Sequence, residues 1–149
     1  DVGLAPPEEL VWSKSFLMER ERFDGADVLH LILRAGPTLD WDHLCDRFFG
    51  HERVLLAHLV LFSYAYPNET GIVPRAVLKR LSAAPNRRGM AGVRLCRGTF
   101  LSREQYLVDV GQWGYRDGRL APFGTLSRGE VDQWTRGIHA HWSRRPKHD

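Results

Sequence analysis

Between Pro6 and Pro74 the chain is cut at short intervals by residues that start or stop helices, and the segments between them carry apolar residues at helical spacing. Pro6-Pro7 opens the first segment, because proline is tolerated where amide hydrogens lack partners; Glu8 and Glu9 then face the positive end of the helix dipole. This helix is expected over residues 7–21, with Leu10, Val11, Trp12, Phe16, Leu17 and Met18 forming a broad apolar face. Lys14 lies among them, so its ammonium must reach either solvent or an anion. Asp24 is placed as the N-cap of a second helix that buries Val28, Leu29, Leu31, Ile32 and Leu33 and stops at Gly36-Pro37. Its polar stripe is Asp27, His30 and Arg34.

A third helix follows Thr38 or Asp40, carrying Trp41, Leu44, Cys45, Phe48 and Phe49, with Gly50 as its left-handed terminating residue. The segment 52–64 is apolar nearly all round and is the expected central core helix, ending before Pro67. Pro74 opens a fifth helix whose buried side is Val77, Leu78 and Leu81. From residue 82 to 97 the pattern gives way to Ala-Ala-Pro-Asn-Arg-Arg-Gly-Met-Ala-Gly, which has no periodicity and reads as a basic linker. Beyond it, Ser102-Arg103-Glu104-Gln105 is a capping box for a helix ending at Gly114, and Ser127-Arg128-Gly129-Glu130 is another for a final helix to Trp142. Tyr115-Arg116-Asp117-Gly118-Arg119 and Pro122-Phe123-Gly124 read as turns, and residues 93–96 as a short strand. The expected fold is mainly α, a compact multi-helix domain of about seven helices with at most one short strand. The expected organisation is a helical domain over 1–82, a linker over 83–98 and a C-terminal helical subdomain over 99–149 packed on the first.

The 149 residues are enough to bury a sizeable interior, and 43% hydrophobic content excludes the disordered class. The longest apolar run, 54–66, is interrupted by His58 and too short to span a bilayer, so a cytoplasmic protein without membrane partners is expected. Cys45 and Cys96 are too few for a disulfide framework and lack zinc spacing. A chain that begins with Asp1 and enters a helix almost at once reads as one entered in the middle. Charge is uneven: residues 1–84 hold nine Lys/Arg and twelve Asp/Glu, residues 85–149 twelve and six, which together give the net +3. The basic half suits phosphate or an acidic surface, or is simply solvated.

The densest charge chemistry is Lys14 with Arg20, Arg22, Asp24 and Asp27, joined on the helical stripe by His30. Lysine meets a phosphate as a point charge and arginine grips one bidentately, so the set suits a phosphoryl or nucleotidyl site; the plain alternative is a solvated helix end of alternating sign. His51 with His58, and His139 with His141, lack a third ligand, and Asp40-Trp41-Asp42 is set for capping rather than metal binding. No catalytic group and no metal ligand is assigned. Arg87, Arg88, Arg94 and Arg97, followed by Tyr106, Trp113 and Tyr115, are candidates for nucleic-acid binding by charge and stacking; aromatics in capped helices are otherwise core.

The run 6–14, Pro-Pro-Glu-Glu-Leu-Val-Trp-Ser-Lys, with 18–31, Met-Glu-Arg-Glu-Arg-Phe-Asp-Gly-Ala-Asp-Val-Leu-His-Leu, resembles the C-terminal part of bacterial nucleotidyltransferase-like proteins of the DNA polymerase beta superfamily. The likeness continues through Leu39-Asp40-Trp41, residues 54–62, Tyr66-Pro67, Cys96-Arg97-Gly98-Thr99, residues 102–109 and 113–117. In such proteins an N-terminal α/β core carries the metal-holding carboxylates, and the following helices bring basic residues to the nucleotide phosphates. The resemblance therefore implies that Lys14 contacts phosphate, with Asp24 and Asp27 orienting the basic residues. It also implies that the catalytic core lies outside this chain, which alone would need no cofactor and be inactive. Mg and a nucleoside triphosphate would enter with that core, supplied by a missing N-terminal domain or another protein chain. The alternatives are a helical interaction subunit docking on a larger assembly and a nucleic-acid-binding module.

Overall fold

The computed structural model describes residues 5–86 and 89–142 and is mainly helical. It divides into two units, one of residues 1–18 and 22–87, the other of 19–21 and 88–149.

The first unit holds five α-helices: Pro7–Ser15 (α1), Gly25–Ala35 (α2), Trp41–Arg47 (α3), Glu52–Ala65 (α4) and Arg75–Ala83 (α5). Short 3₁₀ turns at Gly36–Thr38 and Pro67–Ile72 join them, so proline again sits where a helix has no amide hydrogen to lose. Val11, Val28, Ile32, Leu44, Phe48, Leu55 and Phe62 are fully buried in one apolar core. α4 carries much of that core through Leu55, His58, Leu59 and Phe62, yet it is not covered all round: Val60, Leu61 and Tyr64 are exposed. Phe49, expected on the buried side of α3, is also exposed, because the helix ends at Arg47 and Gly50 turns the chain at φ 85°.

α1 is shorter than expected and stops at Ser15 instead of residue 21. The reason lies far along the chain. The Ser15 carbonyl, which would accept the next helical bond, faces His58 Nε2 at 3.0 Å inside the core. Phe16 then packs edge-on to Trp12 and stacks with Phe48, at 4.7 and 5.8 Å between ring centroids. Instead of more helix there are two-residue strands Met18–Glu19 (β1) and Arg22–Phe23 (β2), and Asp24 N donates to Leu17 O at 3.1 Å to close the excursion.

α3 begins where expected, with Asp40 Oδ1 accepting from His43 N at 2.9 Å. Buried Glu8 accepts from Asp40 N at 2.8 Å, and Glu9 takes the Arg47 guanidinium in a two-pronged pair at 2.8 and 2.9 Å. The two glutamates expected only to complement a dipole thus tie α1 to α3.

In the second unit, strands Leu95–Cys96 (β3) and Arg116–Asp117 (β4) pair in parallel; in the chain, helix Leu107–Gly111 (α6) lies between them and helix Arg128–Trp142 (α7) follows β4. With β1 and β2 the described residues form four short strands, more than the single one expected, and one of them lies in a segment read as a turn. The Ser102 capping box does not open a long helix either. Ser102 Oγ accepts from Gln105 N at 3.0 Å, but it also donates to Glu19 Oε2 at 2.5 Å, and only five residues of helix follow. The Ser127 box forms in both directions, with Ser127 N to Glu130 Oε2 at 2.7 Å and Glu130 N to Ser127 Oγ at 3.3 Å. Among the described residues no helix is long and apolar enough to cross a membrane.

Candidate functional site

Lys14 belongs to the last turn of α1 and Asp27 to the first turn of α2, which packs against it, while Asp24 sits immediately before α2. The packing of Val11 against Val28 and Ile32 in one core sets the two helix ends side by side. Lys14 Nζ then reaches Asp27 Oδ2 at 2.8 Å and Asp24 Oδ2 at 3.2 Å. Arg22 meets Asp24 through two parallel bonds of 3.0 Å, from Nε to Oδ1 and Nη2 to Oδ2. Asp24 occupies the N-cap position without capping, since its carboxylate is already spent on these cations.

The burial gradient across the cluster is steep. The Asp24 side chain is 10% exposed and Lys14 28%, against 55% for Asp27 and 65% for Arg22. Arg22, and after it Lys14, hold the Asp24 carboxyl below its usual range; Asp27 and then Asp24 push the Lys14 ammonium higher. Lys14, Arg22 and Asp24 are thus each held in the charged form at neutral pH. An ammonium has three donors, of which Lys14 uses two here. The Arg22 edge formed by Nη1 and the second hydrogen of Nη2 stays clear of Asp24. The cluster can therefore offer an anion donors whose positions the carboxylates hold.

It does not fit a metal ion. Asp24 and Asp27 converge on the Lys14 ammonium, which fills the place a cation would take, and no group of three or more His, Cys, Asp or Glu suited to a metal occurs among the described residues.

The other sequence candidates fall elsewhere. His30 is exposed on α2 and makes no ion pair among the described residues. Arg20 belongs to the second unit, where it lines a small cleft with Glu104, Gln105 and Val108. Arg94 donates to the Trp113 carbonyl at 3.0 Å and lies 4.1 Å from the Tyr115 ring centroid, so its guanidinium face is already stacked. Arg97 is half-buried, and the Tyr106 ring packs against Gly98 so closely that a Cβ there would lie 2.1 Å from it. Arg87 and Arg88, and the side chains of His139 and His141, lie outside the described residues.

His58 is buried and neutral: desolvation lowers its pKa. Both cysteines are buried free thiols whose pKa burial raises.

Sequence reasoning missed the second unit's buried polar centre, where Asp117 binds Arg119 and Thr99. Asp117-Gly118-Arg119 has the composition of a solvated turn, and no local signal separates the two cases. No family model matches this chain, and neither curated proteins nor solved structures give a match.

Proposed function

We propose that the chain is the helical portion of a cytoplasmic nucleotidyltransferase-like protein, in which Lys14 and Arg22 contact nucleotide phosphates while the metal-bearing carboxylates come from a separate catalytic core. The observation that carries this reading is the clamp on Lys14: two carboxylates hold its ammonium at 2.8 and 3.2 Å and leave one donor over. A lysine that only covered apolar surface would need no such clamp. Asp24 and Asp27 position the cations and take no part in bond making. Transfer of a nucleotidyl group rests on positioning and on neutralising the charge that develops, and the cluster supplies only the first.

The test is ATP binding by the purified chain in the absence of divalent metal, at low salt. Lys14→Gln and Arg22→Gln should each weaken it about tenfold, with the helical circular dichroism unchanged. ATP binding that is absent, or indifferent to both substitutions, overturns the reading. The chain alone should also show no metal-dependent nucleotidyl transfer. Robust turnover that disappears in Lys14→Gln would assign it the catalytic core as well.

One observation favours a second reading, a helical interaction subunit. Val60, Leu61 and Tyr64 are exposed on the outer side of α4, the helix that carries the core on its other side. On this reading Tyr64→Glu abolishes assembly while leaving ATP binding intact, which separates it from the first.

A further inference from the structure

In the second unit, β4 ends in an ion pair removed from solvent. Arg119 is 1% exposed and the Asp117 side chain 4%. Asp117 is saturated: Oδ1 accepts from Thr99 Oγ1 at 2.8 Å, the Arg119 amide at 3.0 Å and Arg119 Nε at 3.1 Å, and Oδ2 accepts from Arg119 Nη2 at 2.7 Å. Burial alone would push the Asp117 carboxyl up, but these donors, Arg119 foremost, bring it below its usual range. Arg119 is not saturated. Asp117 takes the Nε/Nη2 edge of the guanidinium, whereas buried Nη1 has no hydrogen-bond partner among the described residues.

A buried guanidinium donor left unpaired is costly, and a planar guanidinium has a second two-pronged edge, Nη1/Nη2, of the same shape as the first. Arg119 lines a cavity of about 720 Å³, well within the range of small-molecule sites. Its walls are largely apolar, with Leu107, Val110, Phe123, Leu126 and Val131 among them. Arg116, Arg119 and Arg128 line it against Asp117 and Asp132, an excess of one positive charge.

We propose that this cavity binds an organic carboxylate with an apolar body, its carboxylate held end-on by Nη1 and Nη2 of Arg119. The single excess charge matches a monoanion and not a phosphate dianion, and the apolar walls match a hydrocarbon or aromatic body. Asp117 keeps the guanidinium oriented, so the ligand meets a donor pair whose ordering cost was met on folding. The site is independent of Lys14 and of any nucleotide.

Isothermal titration of the whole chain with 3-phenylpropanoate, 3-phenylpropanamide and phenyl phosphate tests the assignment. The carboxylate should bind saturably, roughly tenfold or more tighter than the uncharged amide, and tighter than the phosphate ester. Arg119→Lys keeps a cation beside Asp117 but loses the planar fork, and should narrow the preference for carboxylate over amide to about threefold or less. Leu126→Trp fills the cavity without touching the ion pair and should abolish binding of all three with the helical content unchanged. Several outcomes overturn the proposal: no saturable carboxylate binding, an amide that binds as well, phenyl phosphate binding more tightly, or a folded Arg119→Lys with its preference intact. Should Arg119→Lys fail to fold, carboxylate binding retained in Leu126→Trp overturns it, and the wild-type preference is read without either variant.

Discussion

The imidazole of His58 shows how much one side chain can settle. Its Nε2 faces the Ser15 carbonyl at 3.0 Å, its ring lies 6.4 Å from that of Phe23 and nearly parallel to it, and its pKa falls below 6.5 because burial disfavours the cation. The unfolded chain therefore binds a proton that the folded chain refuses, so stability is fully present above pH 6.5 and is lost as pH falls toward the lower folded value. His58→Gln, which keeps an amide donor for the Ser15 carbonyl, should flatten urea-unfolding stability through this window. Asp24 acts in the same direction at lower pH. Its depressed carboxyl adds stability above its ordinary value of 3.8, lost as pH falls through the folded one, and Asp24→Asn should remove that limb of the profile. From the sequence, Asp24 was legible as a helix-start residue and Lys14 as a cation needing an anion. Spacing alone did not show that each answers the other, because a separation of ten positions in the chain reveals no distance.

At the scale of elements, most helix starts were legible, as were the ends of α2 at Gly36-Pro37 and of α4 before Pro67, whereas the end of α1 and the start of α6 were not. Asp40 and Ser127 cap as the spacing implies, since an N-cap bond spans three residues and is written locally. Asp40→Ala should cost about 1 kcal/mol in denaturant unfolding, the loss of one capping bond. Gly50 terminates α3 at φ 85° with open space around its α-carbon, so Gly50→Ala meets no neighbour but should still cost about 1 kcal/mol through the left-handed backbone alone. α1 ends early and α6 starts late, each beside a contact from outside its own sequence: His58 takes the Ser15 carbonyl, and Glu19 takes the Ser102 hydroxyl and the Arg103 amide at 2.9 Å. Glu19, despite partial burial, has its pKa lowered by these donors.

At the scale of the whole molecule, the apolar core of the first unit carries its stability. Leu55 is fully buried in that core, and Leu55→Ala should lower unfolding free energy by about 2 to 5 kcal/mol, read as a shifted urea midpoint with an unchanged slope. The class of fold was legible because apolar residues repeat at helical spacing, and burying that repeat is what makes the segments helical in the first place. The candidate site was legible as a composition of charges in 12–27, though Arg20, which stood among them, belongs to the second unit. The sequence by itself determined the helical class, the starts of α2, α3, α4, α5 and α7, and the residue types available for chemistry, since those follow from sterics and hydrogen bonds acting within about four residues. Only the tertiary structure decided where α1 stops, that Asp24 binds cations instead of capping, and that a turn-like Asp117-Gly118-Arg119 becomes a buried ion pair beside a cavity. Each of those depends on burial, which raises the cost of leaving a charge or donor unpaired, and burial exists only once distant segments have met.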